Sequence, residues 1–527
     1  MWSVRIFGTQ PTRGTLAAIS GLLAGFAALA VAELVAAFVR PQAGPVIAVG
    51  GASVDRTPAP VKDWAIRNFG TADKLVLQVG ILATLALFAA LLGLIALRYR
   101  RTGSAGVLLF GVVGVAAALS RPDSASFTDA LPSLLGAVAA AVLLWFLIGR
   151  LTARRGAGSP QPETGWDRRG FLIAASAAAV ASAGAGALGR AVGNGRGKEA
   201  AASRDSVVLP RAASPADPTP AGAQLRVPGI EPFVTPNKDF YRVDTALVVP
   251  KVDATGWHLR IHGQGVKRPV TLTFQDLLDR ELIERTITLT CVSNEVGGPY
   301  VGNARWIGAR LADLLKEAGV KPPSRGGPAD QLVARSVDGM TLGTPVEDVM
   351  DGRDALLAVG MNGEPLPFDH GFPVRMVVPG LYGYVSACKW IEDIELTTFE
   401  AYDPYWVKRN WARKAPVKTQ SRIDTPKPFA RPRAGTVMVA GVAWSQHRGI
   451  EMVEIRVDDG PWRPADLAAE DTRDTWRQWS FPWKATPGSH TLTVRATDRT
   501  GEVQTAQRSR PVPDGASGRH WVVVTVE

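Results

Sequence analysis

Long apolar runs in the first third of the chain limit the possible folds more than any other feature of the sequence. Four of them cover residues 15–39, 75–97, 105–119 and 131–149. The first two are long enough to cross a bilayer as helices, the fourth is close to that length, and the third is short. They raise the mean hydropathy of the 527-residue chain to +0.05. The pattern predicts a helical membrane region over residues 1–195.

Charges between the runs predict the orientation of this region. Arginines follow the second and fourth runs, at Arg98, Arg100, Arg101, Arg150, Arg154 and Arg155. By the positive-inside rule, the N-terminus and the loops at 98–104 and 150–170 lie in the cytoplasm. Membrane-flanking arginines and solvated surface charges account for the net charge of +11. The sequence has no basic stripe of the kind that binds nucleic acid, so we expect no nucleic-acid partner.

The segment Trp166-Asp167-Arg168-Arg169-Gly170-Phe171-Leu172 precedes a fifth apolar run at 173–192. It resembles a twin-arginine export signal that lies inside the chain. Ordinary positive-inside flanking is the alternative interpretation. Both interpretations predict a fifth span and place the rest of the chain outside the cytoplasm. No clear cleavage site follows, so we expect this span to stay as an anchor in the cell membrane.

A single cysteine marks the most informative segment of the remaining chain. The β-branched residues of Thr286–Thr290 predict a strand that delivers Cys291 into a loop ending at Gly297 and Gly298, and an apolar period over 311–318 predicts a helix. A thiolate at the end of a buried strand is a soft ligand that suits a transition metal. A buried structural thiol is the alternative.

The order of motifs around this segment resembles the sulfite oxidase family, whose members each carry one molybdopterin. Phe240-Tyr241-Arg242 comes before the segment. After it come Leu356-Leu357-Ala358, Met361-Asn362-Gly363-Glu364-Pro365-Leu366-Pro367, His370-Gly371-Phe372-Pro373-Val374-Arg375, and Val378-Pro379-Gly380 running to Cys388-Lys389-Trp390. The resemblance covers residues 225–527.

The resemblance implies a molybdenum site whose protein ligand and catalytic centre is Cys291. The positions that it implies for cofactor binding are Tyr241, Arg242, Cys291, Asn294, Ser336, Asp338, His370, Arg375, Ala387, Cys388 and Lys389. Arginine and lysine suit the pterin phosphate. The residues alone leave other interpretations open: a surface ion pair for Arg375, a core histidine at His370, and a disulfide between Cys291 and Cys388.

Composition divides the rest of the chain. Residues 196–226 are rich in Gly, Ala, Ser and Pro, which is typical of a flexible linker. Mixed strand and helix patterns over 227–400 predict an α+β domain of the sulfite oxidase type that binds molybdopterin. Residues 401–432 form a connector. An all-β, immunoglobulin-like sandwich is predicted over 433–527, similar to the family's dimerisation domain, so a homodimer is possible.

Local patterns predict individual elements. Within the α+β region they predict strands at Ala246–Val249 and Trp257–Ile261, and a capping box at Thr273–Asp276 that opens a short helix at 277–280. In the last region, alternating residues predict strands at Val437–Trp444, Met452–Val457, Trp476–Trp483, His490–Ala496 and Trp521–Val526.

Departures from the family motif bear on the substrate. Where sulfite oxidases carry two arginines after the ligand cysteine, this chain has Glu295 and Val296, and where they carry a tyrosine it has Val359. A carboxylate would repel sulfite, and Val359 leaves an apolar wall for an organic substrate. The sequence therefore predicts extracytoplasmic oxygen-atom transfer, as reduction of a sulfoxide or N-oxide that is small or protein-bound. A sulfite dehydrogenase and a membrane-tethered binding or assembly protein are the alternatives.

The histidines predict where the electrons come from. They are His258, His262, His370, His447, His490 and His520, and none lies before residue 193. The membrane region therefore cannot offer bis-histidine haem ligation. We expect a separate electron-transfer protein to be the partner.

Overall fold

The computed structural model describes residues 13–58, 61, 64, 68–69, 73–121, 124, 126–152 and 168–527. The chain divides into two compact units. A helical unit comprises Met1–Lys198 with Thr245–Val249, and a second unit comprises Glu199–Asp244 with Pro250–Glu527. All the candidate site residues belong to the second unit.

Long helices form the described part of the helical unit. They are α1 Arg13–Phe38, α2 Pro45–Arg56, α3 Asp73–Arg98, α4 Arg100–Leu119, α5 Leu131–Thr152 and α6 Arg168–Asp205. Among the described residues, five helices are long and apolar enough to cross a membrane, and they contain all five predicted runs. Helix formation at those runs is confirmed, while their insertion in a membrane stays a prediction. Of the predicted export motif, Trp166 and Asp167 lie outside the described residues, and α6 begins at Arg168.

Small residues bring the helices of this unit close together. A Cβ on Gly93 of α3 would overlap the Ala17 carbonyl oxygen of α1, and a Cβ on Gly136 of α5 would lie 2.5 Å from the Ala28 carbonyl oxygen. Such close backbone approach gives dense van der Waals contact where neighbouring surfaces are apolar on both sides.

The predicted flexible linker at 196–226 takes a different form in the structure. Its first residues continue α6, where the Arg204 side chain donates to the Leu366 and Pro365 carbonyl oxygens at 2.8 and 2.7 Å. Farther on, the Ala213 amide donates to Leu282 O at 2.8 Å, and the Leu225 amide donates to Gln478 Oε1 at 2.6 Å. Composition predicted flexibility here because it does not reveal hydrogen-bond partners that are distant in the chain.

Two five-stranded sheets form the molybdopterin-type region of the second unit. The first has the order β2-β1-β10-β5-β6, and the second has β3-β4-β7-β8 with β9 paired to β7. The strands are β1 His258–Gly263, β2 Val270–Thr273, β3 Ile283–Thr290, β4 Val301–Arg310, β5 Gln331–Ser336, β6 Thr341–Pro345, β7 Leu356–Met361, β8 Glu364–Pro365, β9 Arg375–Val377 and β10 Ile391–Thr397. The helices are α7 Phe274–Leu278, α8 Leu311–Glu317, α9 Val346–Met350 and α10 Gly383–Ser386.

The local predictions for this region had mixed outcomes. The strand before Cys291, the helix after it, the strand near Trp257 and the capping box of Thr273 and Asp276 are confirmed. The capped helix begins at Phe274, three residues earlier than predicted. The strand predicted at Ala246–Val249 is wrong, because that segment is irregular and belongs to the helical unit. A short apolar run carries no information about whether a neighbouring strand is available to pair with it.

Two four-stranded antiparallel sheets form the C-terminal region, with orders β11-β12-β16-β15 and β14-β13-β17-β18. The strands are β11 Gln420–Thr425, β12 Gly435–Trp444, β13 Ile450–Val457, β14 Arg463–Pro464, β15 Asp466–Leu467, β16 Arg477–Ala485, β17 Gly488–Asp498 and β18 His520–Val526. Their inward side chains share one core that includes Trp479, Phe481 and Val494. All five predicted strands are confirmed, whereas the immunoglobulin-like assignment stays a prediction.

Candidate active site

Cys291 lies where β3 leaves its sheet. Antiparallel pairing runs to Thr290 opposite Val301, and the Cys291 amide then donates to the Tyr300 carbonyl oxygen at 2.9 Å. The side chain is only 8% exposed, and its Sγ lies 2.9 Å from Ser293 Oγ. The strand and the hydroxyl therefore hold the sulfur in one position at the start of the loop.

The loop from 291 to 300 is fixed from inside by Asn294. Its side-chain Oδ1 accepts a hydrogen bond from the backbone amide of Tyr300 at 2.8 Å, and its backbone amide donates to Cys291 O at 3.0 Å. Gly297 has φ +81°, and a Cβ there would overlap the His520 ring. Only glycine combines this backbone conformation with such a close approach.

Cys291 is held mainly as a thiol in the protein alone. Burial raises the pKa of its thiol, and the Ser293 hydrogen bond and the Lys389 charge offset that rise only in part. Burial and the nearby Cys291 sulfur also raise the pKa of Tyr241. Because only a thiolate coordinates a metal, metal binding at Cys291 would release a proton.

Arg242 and Lys389 are brought together by two carboxylates. Lys389 Nζ lies 2.9 Å from Asp244 Oδ2 and donates to Asp369 O at 3.2 Å. Arg242 donates to Asp369 Oδ1 at 3.1 Å, and its Nε lies 3.7 Å from Asp244 Oδ2. Burial lowers the pKa of Lys389, an effect that Asp244 opposes. Arg242 is 45% exposed, so its ion pairs are screened by solvent.

Arg375 on β9 is a buried cation with spare hydrogen-bonding capacity. It is 5% exposed, and NH1 donates to His370 O at 3.2 Å. Its Nε has no hydrogen-bond partner within the described part of the chain. The guanidinium lies 4.9 Å from the Trp306 ring centroid. Burial lowers the pKa of Arg375 to about 10. An anionic ligand would satisfy both the orphaned donor and the buried charge.

His370 is a neutral, oriented histidine. Its Nε2 lies 2.9 Å from the Asn237 carbonyl oxygen. A carbonyl can only accept, so Nε2 carries the proton and Nδ1 is left as an acceptor. Burial and the Arg375 charge lower the pKa of His370 to about 4. The surface ion pair considered for Arg375 is therefore excluded, since both side chains are buried together.

Backbone contacts join the remaining predicted positions into the same region. The Val337 amide donates to Trp390 O at 3.0 Å, and the Met376 amide donates to Cys388 O at 2.8 Å. Ser336 ends β5, and its Oγ accepts from the Asp338 amide at 3.4 Å. The segment carrying Cys388 thus lies between the end of β5 and β9.

Helix α10 links this segment to Cys291. A Cβ on Gly383 would lie 3.7 Å from Thr290 O and 3.9 Å from the Tyr241 hydroxyl. Ala387 ends this helix, with its amide donating to Gly383 O at 3.0 Å. Cys291 and Cys388 are both free thiols, so the disulfide alternative is wrong.

The predicted residues assemble into a site that fits molybdopterin. It offers the buried Cys291 sulfur for a metal and three cations for a phosphate, and one of these, Arg375, has an orphaned donor. With that cofactor bound, the thiolate of Cys291 would be the protein's metal ligand, and Arg242, Arg375 and Lys389 would hold the cofactor's anionic part.

Sequence reasoning missed several residues that shape this site. Asp244 and Asp369, which pair with the cations, stand two residues after Arg242 and directly before His370. Their positions beside the quoted motifs were the available signal. Ser293, which contacts the ligand sulfur, lay inside the quoted loop.

Two other contributors come from the C-terminal sheets. Arg422 NH1 donates to Gly298 O at 3.0 Å, and the His520 ring packs on Gly297. His520 Nδ1 accepts from the Ile423 amide at 3.0 Å, and burial with the Arg422 charge lowers its pKa to about 4. No local pattern could have connected these residues with a loop more than 120 positions earlier.

Val359, which the sequence predicted to line the substrate site, is buried in the structure. It lies on β7 with no exposed surface, inside the hydrophobic core. The apolar substrate wall predicted there is therefore wrong, because all of β7 is covered on both faces.

The chain is similar to known proteins over the same region. The family model described as oxidoreductase molybdopterin binding domain matches residues 246–406. An uncharacterized oxidoreductase, YuiH of Bacillus subtilis, is 33% identical over 159 residues, which make up 30% of this chain and 74% of that protein.

Longer proteins are also similar. Mitochondrial sulfite oxidase of Homo sapiens is 30% identical over 308 residues, covering 50% of this chain and 55% of the human protein. The chain thus spans about half the length of the sulfite oxidases that it matches. Among solved structures, the sulfane dehydrogenase SoxCD from Paracoccus pantotrophus has 26% identity and a TM-score of 0.48, covering 56% of this chain and 83% of that one.

Proposed function

Because the chain belongs to the sulfite oxidase family of molybdenum oxidoreductases, with molybdopterin as cofactor, we propose that it transfers an oxygen atom from a neutral oxide. The substrate class is a sulfoxide or N-oxide, small or carried on a protein. In chemical terms, the oxide takes up two electrons and two protons and leaves as sulfide or amine plus water.

The charge arrangement around the Cys291 loop carries this proposal. Apart from Arg375, which is assigned to the cofactor, the cations near the loop face carboxylates: Lys389 faces Asp244, Arg242 faces Asp369, and Arg422 Nε lies 2.6 Å from Asp424 Oδ1. These pairs leave little uncompensated positive charge for a substrate dianion.

Glu295 adds negative charge to the same loop. It is exposed, and the described residues provide no ion-pair partner for it. A dianion such as sulfite would meet this carboxylate on approach, whereas a neutral oxide would not.

The chain's own residues supply position and proton control. When bound, the molybdenum cofactor supplies the two-electron redox chemistry. Ser293 fixes the direction of the Cys291 sulfur, and Asn294 holds the loop that carries it. His370 stays neutral near Arg375, so its Nδ1 can accept a hydrogen bond.

A side-by-side assay tests the substrate class. Purified enzyme is given methionine sulfoxide or trimethylamine N-oxide with a reduced dye, and sulfite with an oxidised dye. We expect reduction of at least one oxide to exceed sulfite oxidation. Efficient sulfite turnover without reduction of either oxide would instead establish the sulfite dehydrogenase, which the likeness to sulfite oxidases favours as second candidate.

Variants at Glu295 sharpen the assay. Glu295→Arg should raise sulfite turnover, as kcat/KM, by about tenfold at low ionic strength, because it exchanges repulsion for attraction at a solvent-screened position. Glu295→Gln removes only the repulsion, so its kcat/KM for sulfite should lie between those of the parent enzyme and Glu295→Arg. An unchanged sulfite rate in both variants would show that this carboxylate does not govern substrate choice.

We further propose that the helical unit anchors the enzyme in the cell membrane with the Cys291 unit outside the cytoplasm. The five apolar helices support this location. A reporter fused after residue 200 should be active only outside the cytoplasm. Activity of the reporter in the cytoplasm would contradict the proposed topology.

Electrons would then come from a separate protein, since residues 1–192 contain neither histidine nor cysteine. A haem absorbance band in the washed, purified protein would contradict this part. A homodimer formed through the C-terminal sheets also stays a proposal, to be tested by the mass of the purified protein in solution.

A further inference from the structure

One hydroxyl contacts the sulfur that would bind the metal. Ser293 Oγ lies 2.9 Å from Cys291 Sγ, and within the described residues the sulfur forms no other side-chain hydrogen bond. Ser293 is half-buried, and Cys291 is almost fully covered. The Ser293 hydroxyl has no second partner in that part of the chain, so it is committed to the sulfur.

Backbone contacts hold both residues of this pair in place. The Asn294 amide donates to Cys291 O at 3.0 Å, which closes a tight turn over residues 291–294 with Ser293 at its third position. On the other side, the Cys291 amide donates to Tyr300 O at 2.9 Å. The loop therefore keeps its shape without the bond between hydroxyl and sulfur, which leaves that bond free for another role.

Metal binding would fix the direction of the hydrogen bond. In the free thiol, either Cys291 or Ser293 can donate. A metal-bound thiolate has lost its proton and can only accept. Ser293 then becomes the donor, and a hydrogen bond to a charged acceptor is stronger than one between neutral groups.

A donor on a ligand sulfur changes the redox properties of the metal. The hydrogen bond draws electron density from the thiolate, so it strengthens as the site takes up electrons. Hydrogen bonding to cysteine sulfur is for this reason one of the factors that set the reduction potentials of iron–sulfur and copper centres. The sign follows directly: the bond stabilises the reduced state and raises the reduction potential.

We propose that Ser293 sets the redox balance of the site, because its hydroxyl donates to the metal-bound Cys291 sulfur and keeps the reduction potential of the molybdenum cofactor high. A high potential favours electron uptake from the donor protein, which must precede reduction of an oxide. Ser293 is a positioning residue that acts through Cys291. The inference rests on cofactor binding in the proposed function, but not on the choice of oxide over sulfite.

Two hydroxyls on either side of Cys291 provide a test variant and a matched control. Ser293→Ala removes the donor, and Ser293→Thr restores a hydroxyl. Thr288 lies buried on β3, where its hydroxyl donates to Asn303 Oδ1 at 2.9 Å and accepts from the Trp476 amide at 2.7 Å. Thr288→Val therefore removes a hydroxyl that does not contact the sulfur.

A redox titration of the purified, molybdenum-loaded full chain without substrate is the measurement, followed by absorption and electron paramagnetic resonance. For Ser293→Ala at a fixed potential, the ratio of reduced to oxidised metal should fall about tenfold, the effect of one charged hydrogen bond. This corresponds to about 30 mV for a two-electron couple. The sulfur-to-metal absorption should move to longer wavelength, because an unbonded thiolate gives up electrons more easily. Ser293→Thr should recover most of both shifts.

The control should show the opposite pattern. Thr288→Val loses two buried hydrogen bonds, so its melting temperature should fall. Its potential and absorption should match those of the parent. Ser293→Ala should melt close to the parent temperature, because the backbone contacts of the loop remain.

Several results would overturn the assignment. An unchanged potential and absorption in Ser293→Ala, at the parent's molybdenum content, would show that the hydroxyl does not donate to the sulfur. Equal shifts in Ser293→Thr or in Thr288→Val would attribute the effect to loop structure. Loss of molybdenum from Ser293→Ala would replace the redox role by a role in metal retention.

The titration is independent of the proposed reaction. No oxide or sulfite enters it, so failure of oxide reduction in the substrate assay leaves its result in place. Absence of molybdenum from the parent protein would overturn both the cofactor assignment and the role of Ser293.

Discussion

Helices in the helical unit contact one another through glycine and alanine, and an apolar groove lies between them. The unit that carries Cys291 is packed around aromatic residues such as Trp306 and Phe372, and it holds Lys389 and Arg242 in carboxylate pairs. The two units therefore differ in what their side chains offer, since the buried thiols and these paired charges all lie in the unit that carries Cys291.

The largest expected effect comes from Cys291 in the second unit. Cys291→Ser replaces a soft thiolate ligand by a hard hydroxyl of similar size. Oxide turnover should fall about a hundredfold or more, and the metal's absorption should change. Cys388→Ser is the matched control and should have a much smaller effect. Similar behaviour of the two variants would remove Cys291 from its assigned role.

Substitution of Arg375 should weaken cofactor binding without lowering the stability of the protein. Arg375→Met removes a buried guanidinium whose charge burial disfavours, so the melting temperature of the cofactor-free protein should stay the same or rise. Molybdenum content after purification should nevertheless fall roughly tenfold or more, because a charge-assisted contact to the cofactor is lost. Unchanged metal content would show that the orphaned Nε of Arg375 does not face the cofactor.

Buried histidines predict a pH dependence confined to the second unit. Burial lowers the pKa of His370 and of His520 to about 4, below the ordinary value of 6.5. The unfolded chain therefore binds these protons more readily, so stability is lost as pH falls from 6.5 towards 4. Each histidine contributes up to about 3 kcal/mol to this loss. Melting temperatures between pH 7.5 and 4.5 measure it.

His490 provides the control of opposite sign. Its hydrogen bond to Asp458 raises its pKa, so its contribution is present at low pH and is lost as pH rises through the raised pKa. His490→Gln should therefore leave the loss of stability below pH 6.5 in place. If acid no longer destabilised that variant, the two buried histidines would not be the cause.

The smallest expected effect on turnover comes from the helical unit. Gly93→Leu forces α1 and α3 apart, because even a Cβ at Gly93 would overlap the Ala17 carbonyl oxygen. The oligomeric homogeneity of this variant in detergent should decrease. Its kcat for oxide reduction with a soluble dye should stay within about twofold of the parent value, because substitutions at distant sites usually act independently. A large loss of kcat would show that the two units are coupled.

Much of the fold followed from local patterns. Apolar runs predicted the long helices, and period-two alternation predicted the C-terminal strands, because burial on one face leaves a repeating trace in the sequence. The motif order also identified the residues that now lie around Cys291. Ala246–Val249 failed because pairing depends on a neighbour, and 196–226 failed because its hydrogen bonds go to distant residues.

The sequence by itself determined that helices precede a mixed unit and a strand-rich region, and that Cys291 ends a buried strand beside a glycine loop. Tertiary structure alone decided that Asp244 pairs with Lys389, that Arg422 and His520 reach the Cys291 loop, and that Val359 is buried. It also decided that helices in close contact leave an apolar groove between them. Periodicity records whether a residue is buried, whereas the partner that buries it depends on how distant segments pack together.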